Sequence, residues 1–162
     1  YESREDSDKH KKLGWQALKK YYEKLKNTPP KPIFLEQEFT LKFGGDSFRG
    51  VIDRIDDGGI IMDYKTGSLP KGDKLSLDDK EQLLIYHLAS KELMNIEPQK
   101  LILNYIIGEK EYPFEATIKD IEKIQERILN DIAKIKSSDF KEKPGDHECK
   151  FCDYKNICEH RK

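Results

Sequence analysis

The sequence of 162 residues contains no long apolar run, which limits the classes of protein to which it can belong. A membrane-spanning helix needs about 18–20 consecutive apolar residues, and no stretch approaches that length. The start of the chain is polar and does not resemble a secretory signal peptide. Because an initiator Met is also missing, we expect this chain to be a fragment of a longer protein. The sequence predicts no membrane association.

Neither sign of charge dominates, because 30 Lys and Arg are matched by 31 Asp and Glu. The total charge therefore gives no sign of nucleic-acid binding, although phosphate contacts depend on local patches. Lysines cluster within 9–12, 71–74 and 141–150, and each cluster alone is most simply a solvated face. Apolar segments recur between the charged residues, so the composition predicts one folded domain with a core.

Cysteine is scarce. The only three cysteines lie in the last fourteen residues, as Cys149, Cys152 and Cys158. Three cysteines at such close spacing do not make a regular set of disulfides and are more typical of a metal-binding motif. The set needs a fourth ligand to complete a zinc tetrahedron or an iron–sulfur cluster. His147 or His160 is available to fill that place in a zinc site. This use of cysteine favours a reducing compartment.

Apolar periodicity predicts an ordered series of helices and strands. Spacings of three and four residues indicate helices over about 10–26, 78–94 and 121–135, the last behind a capping pair formed by Thr117 and Asp120. The predicted strands cover 33–43, two segments within 50–67, 101–107 and 112–118. This order predicts an α+β sandwich in which helices flank a mixed central β-sheet.

The most informative segment is the predicted hairpin from Gly50 to Gly67. Asp53 ends its first strand, and Asp63 and Lys65 project from one face of its second strand because side chains alternate. The tight turn can bring Asp53 beside them. Carboxylates are ligands for Mg²⁺, and an ammonium can orient a water or offset charge on a phosphate. The hairpin therefore predicts a metal-dependent nuclease site.

The spacing of acid and lysine carries little information by itself, because the tripeptide Asp63-Tyr64-Lys65 recurs as Asp153-Tyr154-Lys155. The alternative is a surface salt bridge on a hairpin, which contributes at most about 1 kcal/mol. Context separates the two copies. An apolar strand leads into the first copy, and a strand ending in Asp53 precedes it.

Four segments, in order, resemble the RecB-like branch of the PD-(D/E)XK nuclease superfamily, in its iron–sulfur-stapled subgroup. They are Gly50-Val-Ile-Asp-Arg-Ile-Asp, Ile61-Met-Asp-Tyr-Lys-Thr-Gly, Gln82-Leu-Leu-Ile-Tyr86 and Cys149-x2-Cys152-x5-Cys158. Such domains are typically found at the C-terminus of UvrD-type helicases or beside CRISPR adaptation proteins. The resemblance extends from about Phe34 to the C-terminus and implies a restriction-endonuclease-like core.

The resemblance implies that Asp53 and Asp63 bind Mg²⁺ or Mn²⁺ and that Lys65 is the catalytic lysine. It also implies that Gln82 and Tyr86, which lie one turn apart on one helix face, support the site or contact DNA. A core position with a satisfied hydroxyl is the alternative for Tyr86.

Further residues near these motifs have two interpretations each. Glu36 falls where relatives often carry a glutamate, which would extend the metal shell directly or through water, and a solvated glutamate is the alternative. We expect Arg54 and Asp56 to be structural, with a phosphate contact as the alternative for Arg54. Lys71 and Lys74 are proposed, from position alone, as part of a basic rim for DNA.

In the resembling family the cysteine set holds a structural [4Fe–4S] cluster with a further cysteine far upstream. No cysteine precedes Cys149 here, so we expect the fourth ligand to lie in a removed segment, with zinc as the alternative to the cluster. The family also often carries a catalytic histidine on an N-terminal helix. His10 is the only candidate, and we expect it to be a surface histidine.

Three segments are predicted: a truncated helical remnant over 1–30, the nuclease core over 31–140 and the Cys-bearing tail over 141–162. The predicted function is that of a Mg²⁺- or Mn²⁺-dependent deoxyribonuclease, the exonuclease module of a helicase–nuclease that processes DNA ends in recombination or repair. Its predicted partners are DNA and a helicase domain in the same or a partner chain, in the cytoplasm and associated with the nucleoid. The competing interpretation is a catalytically inactive nuclease-fold module that binds DNA or acts as a scaffold.

Overall fold

The computed structural model describes residues 3–70, 72, 75–138 and 140–161. Within these ranges the elements are α1 (Arg4–Leu25), β1 (Pro32–Phe43), β2 (Asp46–Asp56), β3 (Ile60–Lys65), α2 (Leu77–Met94), β4 (Lys100–Tyr105), β5 (Lys110–Phe114), α3 (Ile118–Ser137) and α4 (Asp146–Lys150). The predicted order of helices and strands is confirmed, with α4 as a short addition in the tail.

The five strands form one sheet in the order β1-β2-β3-β4-β5. The β1–β2, β2–β3 and β4–β5 pairs are antiparallel, whereas β3 and β4 are parallel. A parallel pair requires a long crossover connection, and α2 provides it. The sheet is therefore mixed and has helices against it, which confirms the predicted α+β class.

The crossover helix α2 is fixed at both ends and along its buried side. Ser76 and Asp79 form a capping box at its start, and Asn95 ends it with a left-handed φ of 54°. Leu83 and Leu84 are completely buried, and so is Leu103 of the neighbouring β4. This packing fixes the helix so that the exposed Gln82, next to Leu83, lies over the end of β3.

Helix α1 packs on the opposite face of the sheet. Tyr64 of β3 points away from its neighbours Asp63 and Lys65 because side chains alternate along a strand. Its hydroxyl lies 3.1 Å from that of Tyr21 on α1. An ion pair of 2.7 Å between Lys24 and Glu111 also joins α1 to β5. The sheet thus separates a face covered by α1 from the face covered by α2.

Several predicted boundaries are wrong. Strand β2 continues to Asp56 instead of ending at Asp53, because its ladder with β3 runs from Arg54 to Asp56. Two further differences depend on polar caps. Strand β5 ends at Phe114 instead of 118, because the Thr117 hydroxyl accepts a hydrogen bond of 3.1 Å from the Asp120 N–H and starts α3 at Ile118. Helix α1 begins at Arg4 instead of about 10, because the Ser3 hydroxyl caps it by accepting a bond from the Asp6 N–H. In both places a polar cap decides the boundary.

The chain divides into two compact units, Tyr1–Leu129 and Asn130–Lys162. The first contains the sheet, α1, α2 and the first part of α3, where Ile124 and Ile128 are buried. The second contains the end of α3 and the Cys-bearing tail. Among the described residues, no helix is long and apolar enough to cross a membrane.

Candidate active site

Asp63 and Lys65 lie on the α2 face of β3, at the end of the strand. The Asp63 side chain is almost completely buried, with 1% of its residue surface exposed. The Lys65 Nζ lies 2.7 Å from its Oδ2 atom. Burial raises the pKa of Asp63, the Lys65 ammonium lowers it, and the charge of Asp53 raises it. The pair is therefore a half-buried cation beside a buried carboxylate.

Asp53 lies beside this pair, at the point where β2 and β3 separate. The regular pairing of the two strands ends at Arg54 and Met62. Beyond it, the backbone N–H of Tyr64 donates a hydrogen bond of 2.9 Å to the Asp53 Oδ2. This bond fixes the Asp53 carboxylate next to Asp63, as the hairpin pattern predicts.

Gln82 and Tyr86 extend the arrangement onto α2. The Lys65 ammonium donates a hydrogen bond of 2.5 Å to the Gln82 Oε1, and the Gln82 Nε2 donates one of 2.5 Å to the Tyr86 hydroxyl. A continuous series of polar contacts therefore runs from Asp63 through Lys65 and Gln82 to Tyr86. We call these four residues and Asp53 the carboxylate site.

Tyr86 is a core residue whose hydroxyl is hydrogen-bonded to Gln82, and its part in the site stays a prediction. Its ring is buried and packs edge-on against Phe39, with 6.0 Å between the ring centroids. Burial raises the pKa of Tyr86 to about 12, Gln82 lowers it, and the charges of Asp63, Asp53 and Glu36 raise it. The hydroxyl therefore stays protonated at neutral pH and lies within the field of all three carboxylates.

Glu36 occupies an irregular position in β1. Its φ of 48° lies in the left-handed region, where a residue with a side chain is strained. The pairs Leu35 with Arg54 and Gln37 with Ile52 flank it, which places Glu36 opposite Asp53 in the β1–β2 ladder. The side chain is exposed. Strained residues often occur at functional sites, so Glu36 remains a candidate contributor to a metal shell.

The donor chemistry of the carboxylate site fits a small divalent cation. Mg²⁺ prefers oxygen ligands, keeps several waters and is usually bound through one or two carboxylates. The buried Asp63 Oδ2 has the Lys65 ammonium, at 2.7 Å, as its close polar contact in the described part of the chain. Among the described residues, no three His, Cys, Asp or Glu side chains form a group that could hold an ion. The fit therefore rests on Asp53 and Asp63, without Glu36.

The three cysteines of the tail, predicted to bind a metal ion or cluster, are not brought together as the residues of the carboxylate site are. Cys149, Cys152 and Cys158 are free thiols of intermediate exposure. They do not form a three-ligand group within the described residues. The arrangement as it stands therefore does not fit a [4Fe–4S] cluster or a zinc ion, and both stay predictions.

Histidines proposed as extra ligands have other contacts. The His147 ring packs against Phe151 at 5.2 Å, and the His160 Nε2 lies 3.3 Å from a Glu142 oxygen. On α1, the exposed His10 lies 3.2 Å from Asp6. The structure thus describes His10 as the surface histidine that the sequence predicts.

Arg54 and Asp56 are buried behind the carboxylate site. The Arg54 guanidinium donates hydrogen bonds to Asp56 (2.9 Å), to the Tyr64 hydroxyl (2.5 Å) and to the Tyr21 hydroxyl (3.2 Å). The structural role predicted for both residues agrees with these contacts. A phosphate contact by Arg54 is wrong, because its side chain is buried on the α1 face. Lys71 and Lys74, the predicted basic rim, lie outside the described residues.

The family model of the PD-(D/E)XK nuclease superfamily matches residues 2–159. The chain belongs to this superfamily. Its members are typically nucleases and generally use Mg²⁺ or Mn²⁺. The match is to the superfamily as a whole, so the RecB-like branch stays a prediction.

Two individual proteins are similar to this superfamily member. The Gene 69 protein of Mycobacterium phage L5 is 31% identical over 138 residues, which are 80% of this chain and 45% of that protein. The chain thus spans less than half the length of this relative. The crystal structure of SSO0001 superimposes with a TM-score of 0.53 at 24% identity, covering 92% of this chain and 69% of that one. This second likeness concerns the fold alone.

Proposed function

We propose that this chain is a Mg²⁺- or Mn²⁺-dependent deoxyribonuclease module. The observation that supports the proposal best is the contact series from the buried Asp63 through Lys65 to Gln82, with Asp53 fixed beside it. A merely structural ion pair needs neither a second carboxylate nor an amide that orients the lysine. Metal-assisted phosphodiester hydrolysis uses carboxylates to hold the cation and a positioned positive charge to counter the growing negative charge, and this arrangement supplies both.

Asp53 and Asp63 are the residues that would hold the cation. A divalent ion there would supply Lewis-acid polarisation of the phosphate. The Tyr64 N–H engages one Asp53 oxygen and Lys65 lies against Asp63, so both carboxylates are oriented before substrate arrives. Orientation in advance lowers the reorganisation that the reaction requires.

Lys65 is suited to stabilise charge on the scissile phosphate or to orient the attacking water. An ammonium has three N–H donors. One donates to Gln82 and one faces Asp63, so a third is available for an oxygen of the substrate. Gln82 acts as a positioning residue for Lys65, and Tyr86 holds the Gln82 amide in turn.

The wider assignment is also proposed. The order of the four motifs supports a RecB-like exonuclease within a helicase–nuclease that processes DNA ends, with a helicase domain in the same or a partner chain. A cytoplasmic, nucleoid-associated location follows from that assignment. A [4Fe–4S] cluster or zinc would join the cysteine tail only with a fourth ligand and a rearrangement of the three thiols. That the chain spans 45% of its phage relative is compatible with further domains.

The first test is cleavage of end-labelled single- and double-stranded DNA in Mn²⁺. Asp63→Ala and Lys65→Ala should each lower the rate by at least about 100-fold, because each removes a group that acts on the transition state. The repeated tripeptide provides matched controls: Asp153→Ala and Lys155→Ala change the same residue types at exposed positions and should cut like wild type.

Two outcomes would contradict the assignment. Cutting that survives Asp63→Ala and Lys65→Ala would place the activity elsewhere or in a contaminant. DNA binding without any cutting, in both Mg²⁺ and Mn²⁺, would favour the inactive binding module instead.

A further inference from the structure

Arg49 is an exposed cation of β2 that lies close to the carboxylate site. Its side chain is exposed and makes no hydrogen bond or ion pair within the described part of the chain. It lines a cleft of about 330 Å³ together with Asp53, Gln82 and Tyr86. A guanidinium presents several N–H donors in a planar fork that matches a phosphate. Arg49 is therefore placed to bind an anion beside the site.

Tyr105 lies on the other side of the carboxylates, on β4. In the parallel ladder, Tyr105 is paired with Lys65 and Leu103 with Asp63, so Tyr105 shares the face of the catalytic residues. Its ring packs edge-on against Tyr112, with 5.7 Å between centroids. Its hydroxyl makes no hydrogen bond to another residue within the described ranges. The Tyr105 ring is therefore held in place by packing, and its hydroxyl is available to donate a hydrogen bond.

Burial, and after it negative charge that includes Asp79 and Asp63, raises the pKa of Tyr105. The hydroxyl therefore keeps its proton at neutral pH and can donate. Arg49 lies four residues before Asp53 on β2, in the cleft that it lines with Asp53, Gln82 and Tyr86. Tyr105 lies beside Lys65 on β4, so the two groups reach the carboxylate site from different strands.

We propose that a single DNA strand crosses the sheet from β2 to β4, with Arg49 and the Tyr105 hydroxyl binding phosphates on either side of the scissile one. The inference rests on the proposed nuclease function and adds the path of the substrate. Both groups donate hydrogen bonds and neither contacts bases through a specific pattern, so the binding is independent of sequence.

The test measures equilibrium binding of a fluorescein-labelled oligothymidylate by fluorescence anisotropy, with Ca²⁺ in place of Mn²⁺, at about 50 to 200 mM KCl. Arg49→Ala should weaken binding and reduce the slope of log Kd against log salt by about 0.7, the value for one phosphate contact on a single strand. Tyr105→Phe should weaken binding about fivefold. It should leave the slope unchanged, because a neutral hydroxyl releases no counterion.

Two matched variants control for charge and for packing. Lys19→Ala removes one exposed positive charge from α1, the helix on the opposite face. Tyr112→Phe removes the hydroxyl of the ring that packs against Tyr105. Both should bind like wild type. Equal slopes for Arg49→Ala and wild type, wild-type affinity of Tyr105→Phe, or a slope change in Lys19→Ala as large as that in Arg49→Ala would overturn the proposed path.

Binding is measured without cleavage, so the two proposals fail separately. A chain that binds through Arg49 and Tyr105 but never cuts DNA would refute the nuclease function and leave only the two phosphate contacts standing. A chain that cuts DNA while both variants bind normally would refute the path alone. Absence of any DNA binding by wild type would refute the path as well.

Discussion

Asp63 carries its carboxylate at a position from which the fold excludes water. Burial raises its pKa, and the ammonium of Lys65 offsets only part of that effect. The native chain therefore binds a proton at this carboxyl more tightly than the unfolded chain does. Ionisation of Asp63 consequently destabilises the fold, and a cation bound by the carboxylate would remove that cost.

Asp63→Asn should therefore raise Tm by about 2–4 °C near neutral pH in EDTA, which corresponds to about 1 kcal/mol in a domain of this size. The penalty in wild type develops as the pH rises from the ordinary value of 3.8 to the raised pKa and is complete above it. The gain in Tm should therefore disappear at acid pH. Thermal unfolding followed by circular dichroism at several pH values measures it.

The exposed Asp153→Asn is the control for this measurement and should not change Tm. A lower Tm for Asp63→Asn at neutral pH would contradict the prediction. It would mean that the ion pair with Lys65 stabilises the fold by more than burial of the carboxylate costs.

Much of the carboxylate site could be predicted from sequence, because its residues are related by short-range periodicity. The two-residue spacing of Asp63 and Lys65 and the hairpin that returns to Asp53 are local. The one-turn spacing of Gln82 and Tyr86 shows only that they share a helix face, and the family resemblance is what assigned them to the site. Tyr105 could not be found in this way. Its position beside Lys65 depends on the register of a parallel pair, which the whole crossover sets.

At the scale of elements, β1 departs from regular geometry at Glu36. A left-handed φ costs about 1 kcal/mol for a residue with a Cβ and nothing for glycine. Glu36→Gly should therefore be more stable than Glu36→Ala by about 1 kcal/mol. Chemical denaturation of the two variants measures the difference.

Glu38 provides the matched control two residues further along the same strand. It lies in the regular part of the ladder, opposite Val51. There glycine should be less stable than alanine by about 0.5–1 kcal/mol. The same order of stability at both positions would show that Glu36 is not strained.

The buried Arg54 joins three elements, because its guanidinium contacts Asp56, Tyr64 and Tyr21. Arg54→Ala leaves the Asp56 carboxylate buried without its partner, which should cost about 3 kcal/mol. Arg127→Ala removes a more exposed arginine that pairs with Asp78, and should cost less than about 1 kcal/mol. Urea unfolding compares them, and equal costs would contradict a structural role for Arg54.

The element order could be predicted because apolar periodicity reports the core directly, as the two-sided burial of β4 illustrates. Element ends were less predictable. The start of α1 depends on a hydrogen bond that the Ser3 hydroxyl accepts, about seven residues before the periodic pattern begins. The arrangement of the three cysteines was not predictable from their spacing.

At the scale of the whole molecule, cation binding should stabilise the folded chain. A ligand that binds only the native state raises stability by RT ln(1 + [L]/Kd), or about 2.7 kcal/mol at 100 times Kd. Titration with Mn²⁺ should therefore raise the Tm of wild type, and the rise should be lost in Asp63→Asn. Differential scanning fluorimetry measures both.

The control is Cys149→Ser, which alters the tail and leaves the carboxylates intact. It should keep the Mn²⁺-dependent rise in Tm. Loss of the rise in Cys149→Ser would mean that Mn²⁺ acts through the cysteine tail. Its persistence in Asp63→Asn would mean that Mn²⁺ binds without Asp63, and either result would contradict the prediction.

Tyr64 lies between Asp63 and Lys65 and contacts the opposite side of the sheet. The function of β3 therefore depends on which residues, odd or even in number, face each side of the sheet. Loss of one residue from β3 ahead of Asp63 would exchange its two faces, moving the phenol toward α2 and both charges toward the buried Arg54. Loss of two residues would restore the alternation. In natural or engineered variants of this chain, changes of length in β3 should therefore survive only in even numbers.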